Sequence, residues 1–129
     1  KNDVELTTSL EDDLPLVQGA ANQLKQVFIN LVLNAIEAME NTENKELELE
    51  VYQENEYVEI IIADNGCGIA EDKLDKIFDP FFTTKDQGSG LGLSTVHRLI
   101  DLHNGFIEVD SKLGTGSTFR IGMPINPIK

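Results

Sequence analysis

Two asparagines, Asn30 and Asn34, stand four residues apart in NQLKQVFINLVLNAIEAM, Asn22 to Met39. On a helix that spacing puts both amides on one side. An Asn carbonyl is a neutral oxygen ligand for a hard cation such as Mg²⁺, which takes few protein ligands when phosphates and water fill the rest. The same pair also suits a plain solvated face. Farther on, DNGCGI places Asp64 at the end of an apolar run, where a carboxylate could accept from an amino group. Gly66 and Gly68 would let a backbone approach a flat ring, although an Asp-capped turn fits the same residues. In FDPFFTTKDQGSGLGLS, Phe78, Phe81 and Phe82 either anchor a loop on the core or contact a ligand or partner, and Lys85 is a cation ahead of Gly88, Gly90 and Gly92. Alternate glycines before a helix free N–H groups to point at an anion, and the helix terminus adds partial positive charge. The loop is not a Walker-type loop, since no Lys-Ser or Lys-Thr follows its last glycine. Nor is it a dinucleotide fingerprint, since no strand leads directly into it.

These residues need elements to hold them. Leu24, Val27, Phe28, Leu31, Val32, Ala35, Ile36 and Met39 recur at spacings of three and four, which predicts a long helix with a wide apolar face. ELELEVYQ (46 to 53) and YVEIIIAD (57 to 64) alternate and predict an antiparallel hairpin across ENE. Asp72 to Phe78 suits a short helix, and Gly92 to Leu102 a longer one stopped by Gly105. GFIEVDSKLGTGSTFRIGMPI predicts a second hairpin turning at Leu113 to Gly116, and DVELTTSL an edge strand. Hairpins with interleaved helices predict an α+β sandwich, a mixed sheet with helices on one face.

The chain has 129 residues, 40% of them hydrophobic, which suits one domain over 1–129. A net charge of −13 without clustered Lys and Arg argues against nucleic acid or an anionic membrane as partner. The one cysteine, Cys67, excludes an intrachain disulfide and suits a reducing, cytoplasmic setting. No apolar run approaches the roughly 20 residues of a membrane helix, and without an initiator Met the chain reads as a piece of something longer.

Taken in order, NLVLNAIEA, DNGCGI, FDPFF, GSGLGLS and GTGSTF resemble the asparagine box, the phenylalanine box and the three glycine boxes of the catalytic ATP-binding domain of bacterial sensor histidine kinases. That group extends to gyrase and heat-shock chaperone ATPases, and the boxes cover most of the chain. The resemblance implies the Bergerat ATP-binding fold, a two-layer α/β sandwich with about three helices on a mixed sheet. It implies ATP and Mg²⁺ as cofactors, Asn34 as the metal ligand with Asn30 beside it near the phosphates, and Asp64 as reader of the adenine amino group. Gly66, Gly68 and Ile69 would shape that pocket. Gly88, Gly90, Leu91 and Gly92 would form the hinge of the ATP lid and contact phosphates, with Leu93 among the nucleotide-binding residues. The lid would also carry Phe78, Phe81, Phe82 and Lys85, and Gly114, Gly116 and Thr118 would border the pocket from the last hairpin.

The same resemblance implies transfer of the γ-phosphoryl group to a histidine on a separate dimerisation and phosphoacceptor domain, for relay to a response regulator, with the isolated domain monomeric. The related ATPases carry a water-activating Glu where this chain has Asn30, and an amide cannot take that proton. Glu37 stands where many histidine kinases carry a phosphate-touching Lys, which leaves Lys85 to supply that charge. His97 and His103 lie outside any phosphoacceptor context. An ATP-hydrolysing relative, a nucleotide-binding regulatory module and a serine kinase of the anti-sigma type remain alternatives.

Overall fold

Alternation and helical periodicity, followed along the chain, account for the elements of the computed structural model, which describes residues 4–10, 21–79 and 92–124. In order they are β1 (Val4–Leu10), α1 (Ala21–Ala38), β2 (Lys45–Glu54), β3 (Tyr57–Asp64), a 3₁₀ stretch (Glu71–Lys76), α2 (Gly92–Leu102), β4 (Phe106–Lys112) and β5 (Gly116–Pro124). The strands make one sheet in the order β1-β2-β3-β5-β4. β1 runs parallel to β2 at one edge, and every other neighbouring pair is antiparallel. The sheet is mixed, as expected, and the described residues carry two α-helices and the 3₁₀ stretch. Among them no helix is long and apolar enough to cross a membrane.

Successive strand residues point to opposite faces, and one face packs on both helices. Leu31, Ala35, Ile62, Val96, Phe119 and Ile121 are each at most 2% exposed there, and a fully buried side chain of the larger kind contributes roughly 1.5–3 kcal/mol. The apolar face of α1 is narrower than its sequence suggests. Val27, Leu31 and Ala35, spaced by one turn, are buried, but Phe28 is 37% exposed and Ile36 41%. A single sheet on one side touches only the central stripe of a helix, so the flanks of a wide apolar face stay outside.

Two turns depend on asparagine. Asn55, between β2 and β3, has φ 58°, and Asn104, after α2, has φ 61°. This left-handed region is open to Asn because its short amide bonds locally. Asn104, rather than the expected Gly105, therefore ends α2, with the Gly105 N–H donating to the Ile100 carbonyl at 3.0 Å and the Asn104 N–H to Asp101 at 3.1 Å. Gly105 serves a different need, since a Cβ there would collide with the Gly122 carbonyl. The helix expected over Asp72 to Phe78 is instead the 3₁₀ stretch, after which Ile77 enters the core at 3% exposure.

The other face of the sheet carries a polar cluster. Glu59 is 4% exposed, and its Oε1 accepts from Arg120 Nη1 at 3.1 Å and Tyr52 Oη at 3.2 Å. Burial, then the Glu59 carboxylate, pushes the Tyr52 phenol up. Arg120 also reaches Glu108 and lies 5.6 Å above the Phe106 ring, which occupies the space that a side chain at Gly122 would need.

Candidate functional site

The helix-facing ends of β3 and β5 and the C-terminal half of α1 meet at DNGCGI. Asp64, the last residue of β3, is directly opposite Ser117 of β5, so both side chains point to the helix side. Asp64 Oδ1 accepts from the Gly66 N–H at 2.8 Å. Burial pushes the Asp64 carboxyl up, while hydrogen bonds from the Gly66 and Ser117 backbones hold it back. It is a desolvated acceptor at the end of two central strands, a position suited to an amino group brought by a ligand.

The turn after Asp64 is clamped by the protein's own backbone. The Cys67 N–H donates to the Ala38 carbonyl at 2.9 Å, and the Gly114 N–H donates to Cys67 at 2.7 Å. A Cβ on Gly66 would collide with the Ala38 carbonyl, and one on Gly68, at φ 74°, with the Lys112 carbonyl. Gly66 and Gly68 thus seat the loop between α1 and the β4–β5 turn, where the sequence suggested approach to a ring. Asn65 fastens the same loop to β2, its Oδ1 accepting from Glu46 N–H at 2.9 Å and its Nδ2 donating to Asn44 O at 2.7 Å. Nothing in the sequence beyond the turn signal distinguished Asn65.

Ala38 lies one turn beyond Asn34, so the clamp brings the Asn34 side of α1 up to Asp64. Asn34 and Asn30 are both half-buried. Asn30 Oδ1 accepts from Gln26 at 3.3 Å, whereas the Asn34 amide makes no hydrogen bond to another described residue. A half-buried carboxamide with a spare oxygen fits one protein ligand of a Mg²⁺ ion otherwise held by phosphate and water. Among the described residues no group of three or more His, Cys, Asp and Glu could hold a metal ion by itself. Glu37, on the same side of α1, is exposed.

Other expected residues separate by place. Ile69 packs against the core, and its N–H donates to Ser111 Oγ at 2.8 Å. Phe78 and Leu93 also pack on the core, and the Phe78 ring lies 5.2 Å from that of His97, so for Phe78 the anchoring role is the one seen. Gly92 opens α2. Phe82, Lys85, Gly88, Gly90 and Leu91 lie outside the described residues. Thr118 needs correction, because it pairs with Ala63 and Asp110 on the face away from the helices. Ser117, 5% exposed, is the residue beside Asp64. Parity would have found it: Phe119, Ile121 and Met123 point to the core, and Ser117 follows that count.

The profile of the family described as Histidine kinase-, DNA gyrase B-, and HSP90-like ATPase matches residues 19–127. The chain is 41% identical over 124 residues to the sensor histidine kinase ZraS of Escherichia coli (strain K12), covering 96% of this chain and 26% of that one. With sporulation kinase E of Bacillus subtilis (strain 168) it shares 40% over 124 residues, or 96% of this chain and 17% of the relative. It thus spans about a quarter or less of these two relatives. Among solved structures, the catalytic domain of histidine kinase ThkA superposes with a TM-score of 0.84 at 33% identity, covering 98% of this chain and 83% of that one. Full-length ShkA in complex with AMPPNP gives 0.83 at 27% identity, covering 98% and 27%. The five boxes, the mixed sheet under two helices and these likenesses agree: the chain belongs to the histidine kinase-, DNA gyrase B- and HSP90-like ATPases, and its likeness within them is to the catalytic domains of sensor histidine kinases.

Proposed function

We propose that this domain binds Mg-ATP and presents the γ-phosphoryl group to a histidine on a separate phosphoacceptor domain, for relay to a response regulator. The observation that carries this is the desolvated Asp64 carboxylate beside buried Ser117, joined through the Ala38 clamp to the Asn30 and Asn34 side of α1. Asp64 accepts from the adenine amino group. Asn34 offers its carboxamide oxygen to Mg²⁺, which when bound neutralises phosphate charge. Asn30 and Lys85 are assigned to the phosphates, with the backbone N–H groups of Gly88, Gly90 and Gly92 as further donors to them. Catalysis rests on positioning and charge neutralisation, with the acceptor imidazole as nucleophile.

Asn30 is the residue that favours transfer over hydrolysis. A carboxylate there could take a proton from water; an amide cannot. A regulatory module that binds nucleotide without transferring it is the rival reading, and the acceptor decides between them.

The test is calorimetric titration with a non-hydrolysable ATP analogue, with and without Mg²⁺, on the wild type, Asp64→Asn and Asn34→Ala. Binding that is tightened by Mg²⁺, falls about 10- to 100-fold in Asp64→Asn, and loses its Mg²⁺ dependence in Asn34→Ala is expected. Phosphate should then pass to an added phosphoacceptor domain. Nucleotide binding without transfer to any acceptor would leave the regulatory module, and no binding by the wild type would sink both.

A further inference from the structure

Ser111 and Ser117 share hydrogens in a way that can be counted. They pair across the β4–β5 hairpin on the helix-facing side, and their Oγ atoms lie 2.7 Å apart. Ser111 Oγ also lies 2.8 Å from the Ile69 nitrogen and 3.0 Å from the Gly116 carbonyl oxygen. A hydroxyl has one hydrogen to give and two lone pairs to receive with. The Ile69 amide can only donate to Ser111, and the Gly116 carbonyl can only accept from it. With the Ser111 hydrogen on Gly116, the remaining contact is closed by Ser117 donating to Ser111, and all three become hydrogen bonds at once. The reverse order gives up the bond to Gly116 and turns the hydrogen of a buried hydroxyl loose, which is costly away from water. In the favoured order Ser117 has only lone pairs left to offer.

We infer that Ser111 is a positioning residue that draws the Ser117 hydroxyl hydrogen to itself, so that Ser117 stands as a pure acceptor beside Asp64 and the site selects a base bearing an amino group over one bearing an oxo group. The inference rests on the proposed role of Asp64 as acceptor from that amino group. Two neighbouring acceptors suit the two hydrogens of an amino group, and a carbonyl oxygen in the same place meets lone pairs from both. Without Ser111, the Ser117 hydroxyl is free to rotate and donate to an oxo group.

The experiment compares ATP with inosine triphosphate, in which an oxo group replaces the amino group, by equilibrium binding to the 129-residue chain. The proteins are the wild type, Asp64→Asn, Ser111→Ala, Ser111→Thr, Ser117→Ala and the double alanine variant. The wild type is expected to prefer ATP, and Ser111→Ala to lower that preference roughly five- to tenfold. Ser111→Thr, which keeps the hydroxyl, should retain it. The double variant should show no lower preference than Ser117→Ala alone, since Ser111 acts through Ser117.

Equal weakening of both nucleotides in Ser111→Ala would overturn the inference and leave Ser111 as a pin for the loop at Ile69. If Ser111→Ala does not fold, an unchanged preference in Ser117→Ala overturns it instead. A wild type without preference, or Asp64→Asn binding like wild type, would remove the Asp64 assignment itself and the Ser111 role with it. Those outcomes are told apart because neither requires a serine variant.

Discussion

Asp64 is held at a cost, and the cost has a pH signature. Burial raises its carboxyl pKa against the opposing hydrogen bonds of Gly66 and Ser117. A carboxyl with a raised pKa in the folded state binds its proton more tightly there than in the unfolded chain. Its contribution to stability is therefore full below the unfolded pKa and is lost as pH rises through the folded one. Above its folded pKa the ionised group is a burden on the fold, and the proposed contact with a ligand's amino group gives a reason to keep it. Asn at this position carries no charge, and its Oδ1 can still accept from the Gly66 N–H. Asp64→Asn is expected to melt above wild type at pH 7 while binding ATP poorly, with the gap in melting temperature closing as pH falls toward the ordinary carboxylate range. Thermal melts of both proteins from neutral to mildly acid pH check this, and a variant that melts below wild type at pH 7 refutes it.

Elements were legible where a pattern is local. The bounds of α2 follow from its periodic run, and β3 from its alternation, because each depends on neighbours in sequence. Thr118 went astray for the converse reason: a box motif marks a neighbourhood, whereas the face on which a residue stands is set by strand parity from Phe119. The end of α2 shows a further limit. Asn104 and Gly105 both offer a left-handed residue, and the difference lies in the distant Gly122 carbonyl that excludes a Cβ at Gly105. Asn104→Ala should cost up to roughly 1–2 kcal/mol, because it keeps a Cβ in the left-handed region and loses the short amide that offsets the strain there. Asn104→Gly should cost less or nothing, and ATP affinity should stay unchanged in both because the turn lies at the other end of α2 from the glycine loop. Urea denaturation of the three proteins checks the order, and equal midpoints would show that the turn relaxes to another conformation.

At the scale of the whole molecule, the adjacency of β3 and β5 had no local signal, since it joins residues some sixty positions apart. It is what brings Asp64 and Ser117 together, and the resemblance approached it only by setting Asp64 and the last hairpin around one pocket. Net charge, by contrast, is plain in the sequence and acts on the same site from a distance. The chain carries −13 and is proposed to take up a polyanion, so the summed field opposes approach while the proposed contacts from Lys85, the glycine amides and Mg²⁺ would favour it locally. Salt weakens the long-range term first, since the screening length falls from about 30 Å at 0.01 M to about 10 Å at 0.1 M. The association rate of an ATP analogue is therefore expected to rise severalfold over that range. The rise should be steeper for the free nucleotide than for its Mg²⁺ complex, which carries less negative charge. Stopped-flow binding at several salt concentrations checks both slopes. A rate that falls with salt would mean that the local cations, rather than the acidic whole, govern the encounter, and Lys85→Gln should then remove most of the fall.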